Sequence, residues 1–265
     1  MSTVLQISDP HFGTEQPIVV EALAALARQQ RPGLLLLSGD ITQRARPAQF
    51  SAARAFADRL GAPVLAIPGN HDIPLFNVWA RLRHPYARHS AVFGSDLEPL
   101  HSSDELMVVS VNTTRPWRHK NGEVSAAQID RVARAFAGAG AAQLRVVVVH
   151  QPVAVTRTED IPNLLRGHTA ALKSWSAAGV DLVVGGHIHL PYVMPLNGLA
   201  RPMWAVQAGT SVSSRVRDGA PNSVNLLRWG QGAPPGFCRI EQWDFSATDQ
   251  AFALAQATDV QPHRV

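Results

Sequence analysis

Apolar runs that end on a glycine, a carboxylate or a histidine set the limits on how this chain can fold. The stretch 34–45, LLLLSGDITQRA, drives four leucines into Gly39 and Asp40. The same shape occurs at VLQISDPHFG with Asp9 and His11, and at PVLAIPGNHD with Asn70 and His71. It returns at LRVVVVHQP with His150 and at DLVVGGHIH with His187 and His189. Short unbroken apolar runs, without the polar alternation of a half-exposed sheet, mark strands buried on both faces. They predict strands at 3–8, 34–38, 63–67, 106–111, 145–149 and 181–185.

Helical patterns lie between these strands. Pro47 suits a first turn, Phe50, Ala53, Ala57 and Leu60 form one apolar stripe, and Gly61 stops it. Ser125 and Gln128 have capping-box spacing ahead of Ile129, Val132, Ala133 and Phe136, with Gly138 as terminator. NLLRGHTAALKSWSAAG, from Asn163, reads as a third helix with Leu165, Leu172 and Trp175 inward and Gly179 at its end. After Pro191 the period changes to strands separated by Gly, Pro and Asn turns: YVMPL, PMWAVQAG, SVNLLRW and FCRIEQWDF. The expectation is one domain over 1–256, with a motif-bearing α/β part at 1–190 and a β-rich part at 191–245. The latter is expected to form the edge of a second sheet packed on the first, and 257–265 a frayed, flexible tail.

Composition narrows the class. With 46% hydrophobic and 17% charged residues, the chain matches ordinary globular proteins, and 265 residues suffice for a substantial core. No apolar run approaches the ~20 residues that cross a bilayer. The start, MSTVLQISD, enters a strand without a basic stretch, so no signal peptide is expected. A single cysteine, Cys238, excludes an internal disulfide and suits a reducing cytoplasm. Of the 24 basic side chains only Lys120 and Lys173 are lysine, which reads as coding bias before nucleic-acid binding. Two basic clusters, WARLRHPYARH (79–89) and RPWRHK (115–120), read as solvated faces that would favour an anionic substrate.

In open α/β sheets, ligands bind beyond the carboxyl ends of the strands, where these polar residues fall. Singly, each has an ordinary reading: an Asp after a strand forms a turn, a lone His is a bonded core residue, and GNHD is a tight turn. Five strands ending in metal-capable groups at matching places do not reduce to five accidents. Asp9 and His11 flank Pro10 and can turn toward one centre, and the two oxygens of Asp40 can bridge two cations. Asn70 offers a neutral amide oxygen, and His150, His187 and His189 offer imidazoles. Oxygen and nitrogen donors without sulfur suit Fe, Mn, Zn or Co, as two divalent or trivalent ions. Two such ions can generate a hydroxide and clamp the oxygens of an in-line displacement.

In that order, DPH, GD, GNHD, the strand-end His150 and GHIH resemble the calcineurin-like metallophosphoesterase superfamily, over about residues 3–190. The chain is most similar to its bacterial class III cyclic-nucleotide and glycerophospho-diesterases. The resemblance implies a four-layer α/β/β/α sandwich of two mixed sheets flanked by helices. It assigns Asp9, His11 and His189 to one metal, Asn70, His150 and His187 to the other, and Asp40 to both. His71 resembles the histidine that contacts the phosphate or assists the leaving oxygen. Protein phosphatases of the superfamily follow the bridging aspartate with an Asp-Arg pair, the Asp orienting that histidine. Gln43 and Arg44 stand at those positions here, which leaves His71 without that partner.

Asn112 and Arg115, with Lys120, follow the apolar run LMVVSVN and are candidate substrate contacts at the same rim; the alternative is a solvated loop. Arg215 and Arg217, beyond QAGTSVSS, are weaker candidates. Trp79, Tyr86 and Trp117 alternate with arginines, either to stack a base or as core and interface aromatics. The functional expectation is a cytoplasmic, dinuclear metal-dependent phosphodiesterase acting on a small phosphodiester of cyclic-nucleotide or glycerophosphodiester type. The alternatives are a phosphomonoesterase or nuclease of the same fold, or a non-catalytic scaffold. Neither membrane nor nucleic acid is an expected partner, and the resemblance allows a homodimer whose interface nothing in the sequence marks.

Overall fold

A computed structural model describes residues 2–230 and 233–263. The six strands expected from the apolar runs all form: β1 (Ser2–Ile7), β2 (Leu34–Ser38), β3 (Val64–Ile67), β5 (Leu106–Ser110), β6 (Leu144–Val148) and β7 (Leu182–Gly185). They divide between two sheets. β1, β2 and β3 run parallel in one, and β5, β6 and β7 run parallel in the other. A short antiparallel strand, β4 (Leu100–Ser102), edges the second sheet beside β5.

The strands after Pro191 do not share one sheet, which corrects the expected 191–245 unit. β8 (Tyr192–Pro195) and β9 (Trp204–Gln207) complete the second sheet, in the order β4-β5-β6-β7-β9-β8. β10 (Ser223–Trp229), β11 (Cys238–Ser246) and β12 (Ala251–Val260) cross to the first, in the order β12-β11-β10-β1-β2-β3. The physical reason is β1: it needs a second neighbour opposite β2, and β10 supplies it in antiparallel register, Leu5 facing Leu226. Residues 257–260, expected in the frayed tail, belong to β12, where Val260 pairs with Cys238 and is buried.

Among the described residues six α-helices cover the sheets: α1 (Pro17–Gln30), α2 (Pro47–Arg59), α3 (Val78–Arg83), α4 (Ala87–Phe93), α5 (Ala126–Ala137) and α6 (His168–Ala177). The capping box forms at α5, Ser125 accepting from the Gln128 amide. The third expected helix starts five residues late, at His168. Gly167 holds φ +85° before it, and residues 158–163 form a 3₁₀ turn instead.

Side-chain alternation explains the layers. Leu35 and Leu37 point out, into a core with α1 and α2, while Leu34 and Leu36 point in, toward the second sheet. Val147 faces α5 and α6, and Val146 and Val148 face the first sheet. Three separate cores therefore fill the gaps between four layers, α/β/β/α, of two mixed sheets flanked by helices. The carboxyl ends of β1, β2, β3, β6 and β7 open onto one edge of that sandwich.

Candidate metal centre

Every candidate ligand stands just past a strand: Asp9 and His11 after β1, Asp40 after β2, Asn70 after β3, His150 after β6, His187 and His189 after β7. The chain must turn sharply there to aim a side chain back across the strand ends. Asp9, His11, Asp40, His187 and His189 have φ of 50°, 43°, 49°, 74° and 57°, among eight non-glycine residues with positive φ in the described chain. Each such residue costs on the order of 1–3 kcal/mol, a strain that persists where its surroundings over-determine it. Glycine permits the close approaches. A Cβ on Gly69 would collide with the Asp40 backbone and carboxylate, and one on Gly186 with Ser8 and the Asp9 carboxylate.

The hydrogen bonds leave selected atoms bare. Asp9 Oδ2 accepts from Ser8 Oγ at 2.6 Å and the His187 amide at 2.9 Å, while its buried Oδ1 makes no hydrogen bond and lies 3.2 Å from His189 Nε2. His150 Nδ1 donates to the Ser38 carbonyl at 2.8 Å and His189 Nδ1 to the Arg215 carbonyl at 2.6 Å. Fixing Nδ1 as donor turns each Nε2 lone pair inward, the usual outer support of a metal-binding imidazole. Both ring nitrogens of His187 and the Asn70 Oδ1 are buried without partners. Such orphans are costly to bury, by roughly 1–3 kcal/mol each, unless a ligand satisfies them.

These atoms converge. Asp9, His11 and His189 offer ligand atoms within 4.8 Å of one another, and so do Asp40, His150 and His187. Asp40 spans the two groups: its Oδ1 lies 3.3 Å from His150 Nε2 and its Oδ2 lies 3.8 Å from His11 Nε2. Burial pushes His187 and His11 down to about 3, so both imidazoles are neutral donors at neutral pH. Burial also disfavours charge on His150, but the Asp40 and Asp9 carboxylates override it and raise that imidazole to about 9. Burial likewise opposes charge on Asp9, yet His189 and His150 hold its carboxyl below the ordinary range. The residues present fit metal ions: bare, buried oxygen and nitrogen donors, with no sulfur among them.

His71 also offers an atom within 4.8 Å of those of His11 and Asp40, but both its nitrogens are engaged. Nδ1 lies 3.0 Å from the Gln43 carbonyl and Nε2 lies 3.2 Å from Arg215 Nη1. The missing aspartate after Asp40 therefore does not leave His71 unanchored; the main chain of Gln43 takes that place. Arg215 Nη1 also donates to Gln43 Oε1 at 2.8 Å and lies 3.4 Å from His11 Nδ1. Sequence reading ranked Arg215 low because its contacts depend on the loop after β9 folding back over the GHIH loop. In the sequence Asp72 reads only as the last residue of the GNHD turn. Its carboxylate accepts from the amides of Gly69, Ile41 and Thr42 and from Thr42 Oγ1, which clamps the Asp40 loop to the GNHD turn.

Asn112 and Arg115 are placed elsewhere. Arg115 donates to the carbonyls of Asn112 and Thr114 and to Gln128, while Asn112 Oδ1 accepts from Thr114. Their polar atoms brace the start of α5 and line a recess with Tyr86 and Trp117 that holds none of the candidate ligands. Lys120 instead lines a recess of about 350 Å³ with His187, His189 and Arg215. Arg217 reaches the same recess but is tied to Asp160 at 2.9 Å. Trp79 and Trp117 are exposed, 68% and 72%, so neither is a core aromatic.

Sequence comparison agrees with this geometry. Residues 2–191 match the model of the calcineurin-like phosphoesterases, and the chain belongs to that family. It is a hydrolytic phosphoesterase. A probable cyclic nucleotide phosphodiesterase of Synechococcus is 27% identical over 72% of this chain and 74% of its own length. The 3',5'-cyclic adenosine monophosphate phosphodiesterase CpdA of Pseudomonas aeruginosa is 28% identical over 85% and 84%. Among solved structures, a dimetal phosphatase from Danio rerio shares the fold with a TM-score of 0.69 at 14% identity, over 99% of both chains. No helix among the described residues is long and apolar enough to cross a membrane.

Proposed function

We propose that the centre holds two metal ions and that the protein hydrolyses a small phosphodiester, of cyclic-nucleotide or glycerophosphodiester type. Asp9, His11 and His189 would hold one ion, Asn70, His150 and His187 the other, and Asp40 both. The observation that carries this reading is the split carboxylate of Asp40, one oxygen toward His150 and the other toward His11. When bound, two such ions activate a water and neutralise phosphoryl oxygens, and Fe, Mn, Zn and Co all suit the donor set. The protein supplies the rest. His71 Nδ1–H is anchored on the Gln43 carbonyl, so in the imidazolium form the second proton sits on Nε2 and would pass to the departing alkoxide, leaving a neutral imidazole. Arg215 Nη1 sits beside that nitrogen and offsets the negative charge that grows on the phosphoryl group. The similarity to cyclic nucleotide phosphodiesterases over most of the chain supports a diester substrate.

The test is Mn-loaded protein assayed on 3',5'-cyclic nucleotides, glycerophosphodiesters and phosphomonoesters. A higher kcat/KM on a cyclic nucleotide or glycerophosphodiester is expected. Preference for a monoester would overturn the substrate reading and leave the metal reading standing.

A further inference from the structure

The segment after the GNHD turn builds a surface that the chemistry at the metal centre does not use. Phe76, Val78, Trp79 and Leu82 are 82, 62, 68 and 67% exposed, and Trp117 on the neighbouring loop is 72% exposed. No residue of α3 is buried. Clustered large apolar side chains that cover nothing are unusual on a globular surface and mark an interaction site. Arg81 ties the two segments together, donating to the carbonyls of Pro74 and Arg118 at 3.2 and 2.9 Å.

Cations surround these side chains. Residues 73–95 carry Arg81, Arg83 and Arg88 and no acid. On the neighbouring loop Arg118 is paired with Glu123 at 2.7 Å, Arg115 is turned inward to Gln128, Asp96 and Glu98 lie beside Trp117, and Lys120 adds a further cation. Arg83 lies 4.7 Å over the Trp79 ring and Arg44 lies 5.6 Å over the Phe76 ring. Arg44 also lines, with His71, Ile73, Leu75 and His119, the recess beside the candidate centre. The cationic apolar surface thus reaches the rim of the site.

We propose that this surface docks on an anionic phospholipid membrane. Bulky Trp, Phe and Leu side chains ringed by arginine are what an interfacial element needs: apolar groups enter the acyl boundary and guanidinium groups meet phosphates. A second copy of the chain fits poorly, because two-fold pairing through α3 would bring Arg81 and Arg83 of the two copies together, and residues 73–95 carry no carboxylate to offset them. A duplex would use the cations but leave Phe76, Val78 and Leu82 in water.

The test is co-sedimentation of the metal-loaded protein with vesicles of phosphatidylcholine alone and of equal parts phosphatidylcholine and phosphatidylglycerol. Binding to the anionic vesicles only, weakened by salt, is expected. Phe76→Ser with Trp79→Ser should lower the partition coefficient at least about tenfold, since both aromatic rings would leave the acyl boundary. Arg83→Glu, which keeps every apolar side chain, should lower it by a similar factor and serves as the deciding variant if the double substitution unfolds. Turnover of a soluble nitrophenyl diester should be unchanged in all of them. Absent sedimentation with anionic vesicles, or sedimentation that neither variant weakens, would overturn the proposal. So would equally tight binding to duplex DNA, or a dimer that the same substitutions dissolve.

Discussion

The two nitrogens of His71 keep different company, and that difference predicts how substitutions there behave. Nδ1 is held by a main-chain carbonyl, so no side-chain change at Gln43 removes the anchor. Gln43→Ala deletes only the Oε1 contact to Arg215 Nη1 and should cost activity far less than His71→Ala. Proton donation to a leaving oxygen is usually worth ~10²–10⁴-fold. His71→Ala should therefore keep its full metal content, lose activity in that range on a cyclic nucleotide, and lose distinctly less on a nitrophenyl diester. Nitrophenolate leaves without protonation, whereas the ribose alkoxide does not. Equal losses on both substrates would assign His71 to electrostatic contact, and a lost metal would make it a ligand. The seven candidate ligands were legible in the sequence because they follow five apolar runs, one or two to each. Arg215 was legible only as a weak candidate, because its approach to His71 depends on a loop more than a hundred residues further along the chain. The main-chain partner of His71 was hidden for a different reason: every residue has a carbonyl, so no side chain announces it.

At the scale of elements, strands buried on both faces were read to within two residues, since nothing else explains an unbroken apolar run. Elements that bury one stripe or none were harder. α3 buries nothing, and β12 exposes most of its length, so neither leaves a clear period in the sequence. α4 is held by an unusual residue. His89 is fully buried against α2, its ring 6.1 Å from Phe50 and 5.4 Å from Phe93, and neither ring nitrogen has a hydrogen-bond partner. Burial pushes its pKa down from 6.5 to about 4. The unfolded chain takes up this proton below about pH 6.5 and the folded chain only near 4, so stability is complete above that window and falls as pH drops through it. Between pH 7 and 5 this residue alone should cost about 2 kcal/mol. His89→Phe keeps an aromatic ring in the cluster and removes the proton. Urea titrations at the two pH values should show the variant losing less stability than wild type by about that amount. An identical pH dependence in both would mean that α4 opens enough to solvate the ring.

For the whole molecule, the decisive fact is where the candidate ligands come from. Asp9, His11, Asp40 and Asn70 hang from the first sheet, and His150, His187 and His189 from the second. Each proposed metal would take ligands from both, so binding would join two sheets otherwise held by the apolar core between them and by buried hydrogen bonds such as Gln6 to the Gly185 carbonyl. A ligand bound only by the folded state stabilises it by RT ln(1 + [L]/Kd), about 2.7 kcal/mol at a hundred times Kd. In a protein of this size each kcal/mol raises Tm by roughly 2–4 °C. Each filled site should therefore add roughly 5–10 °C, and chelation should reverse the gain. Asp40→Ala removes the shared carboxylate and should abolish most of the gain from both ions, whereas Asn70→Ala should weaken one. Protons compete for the same atoms: with the His150 imidazole raised to about 9 in the metal-free protein, loading at neutral pH must displace a proton. Apparent affinity should then climb as pH rises toward 9, by up to about tenfold per unit for one displaced proton. Calorimetric titration with Mn at several pH values, alongside elemental analysis and melting curves, reads all of these quantities. A Tm indifferent to chelator, with no metal in the purified or supplemented protein, would show that the two sheets meet here without a metal to join them.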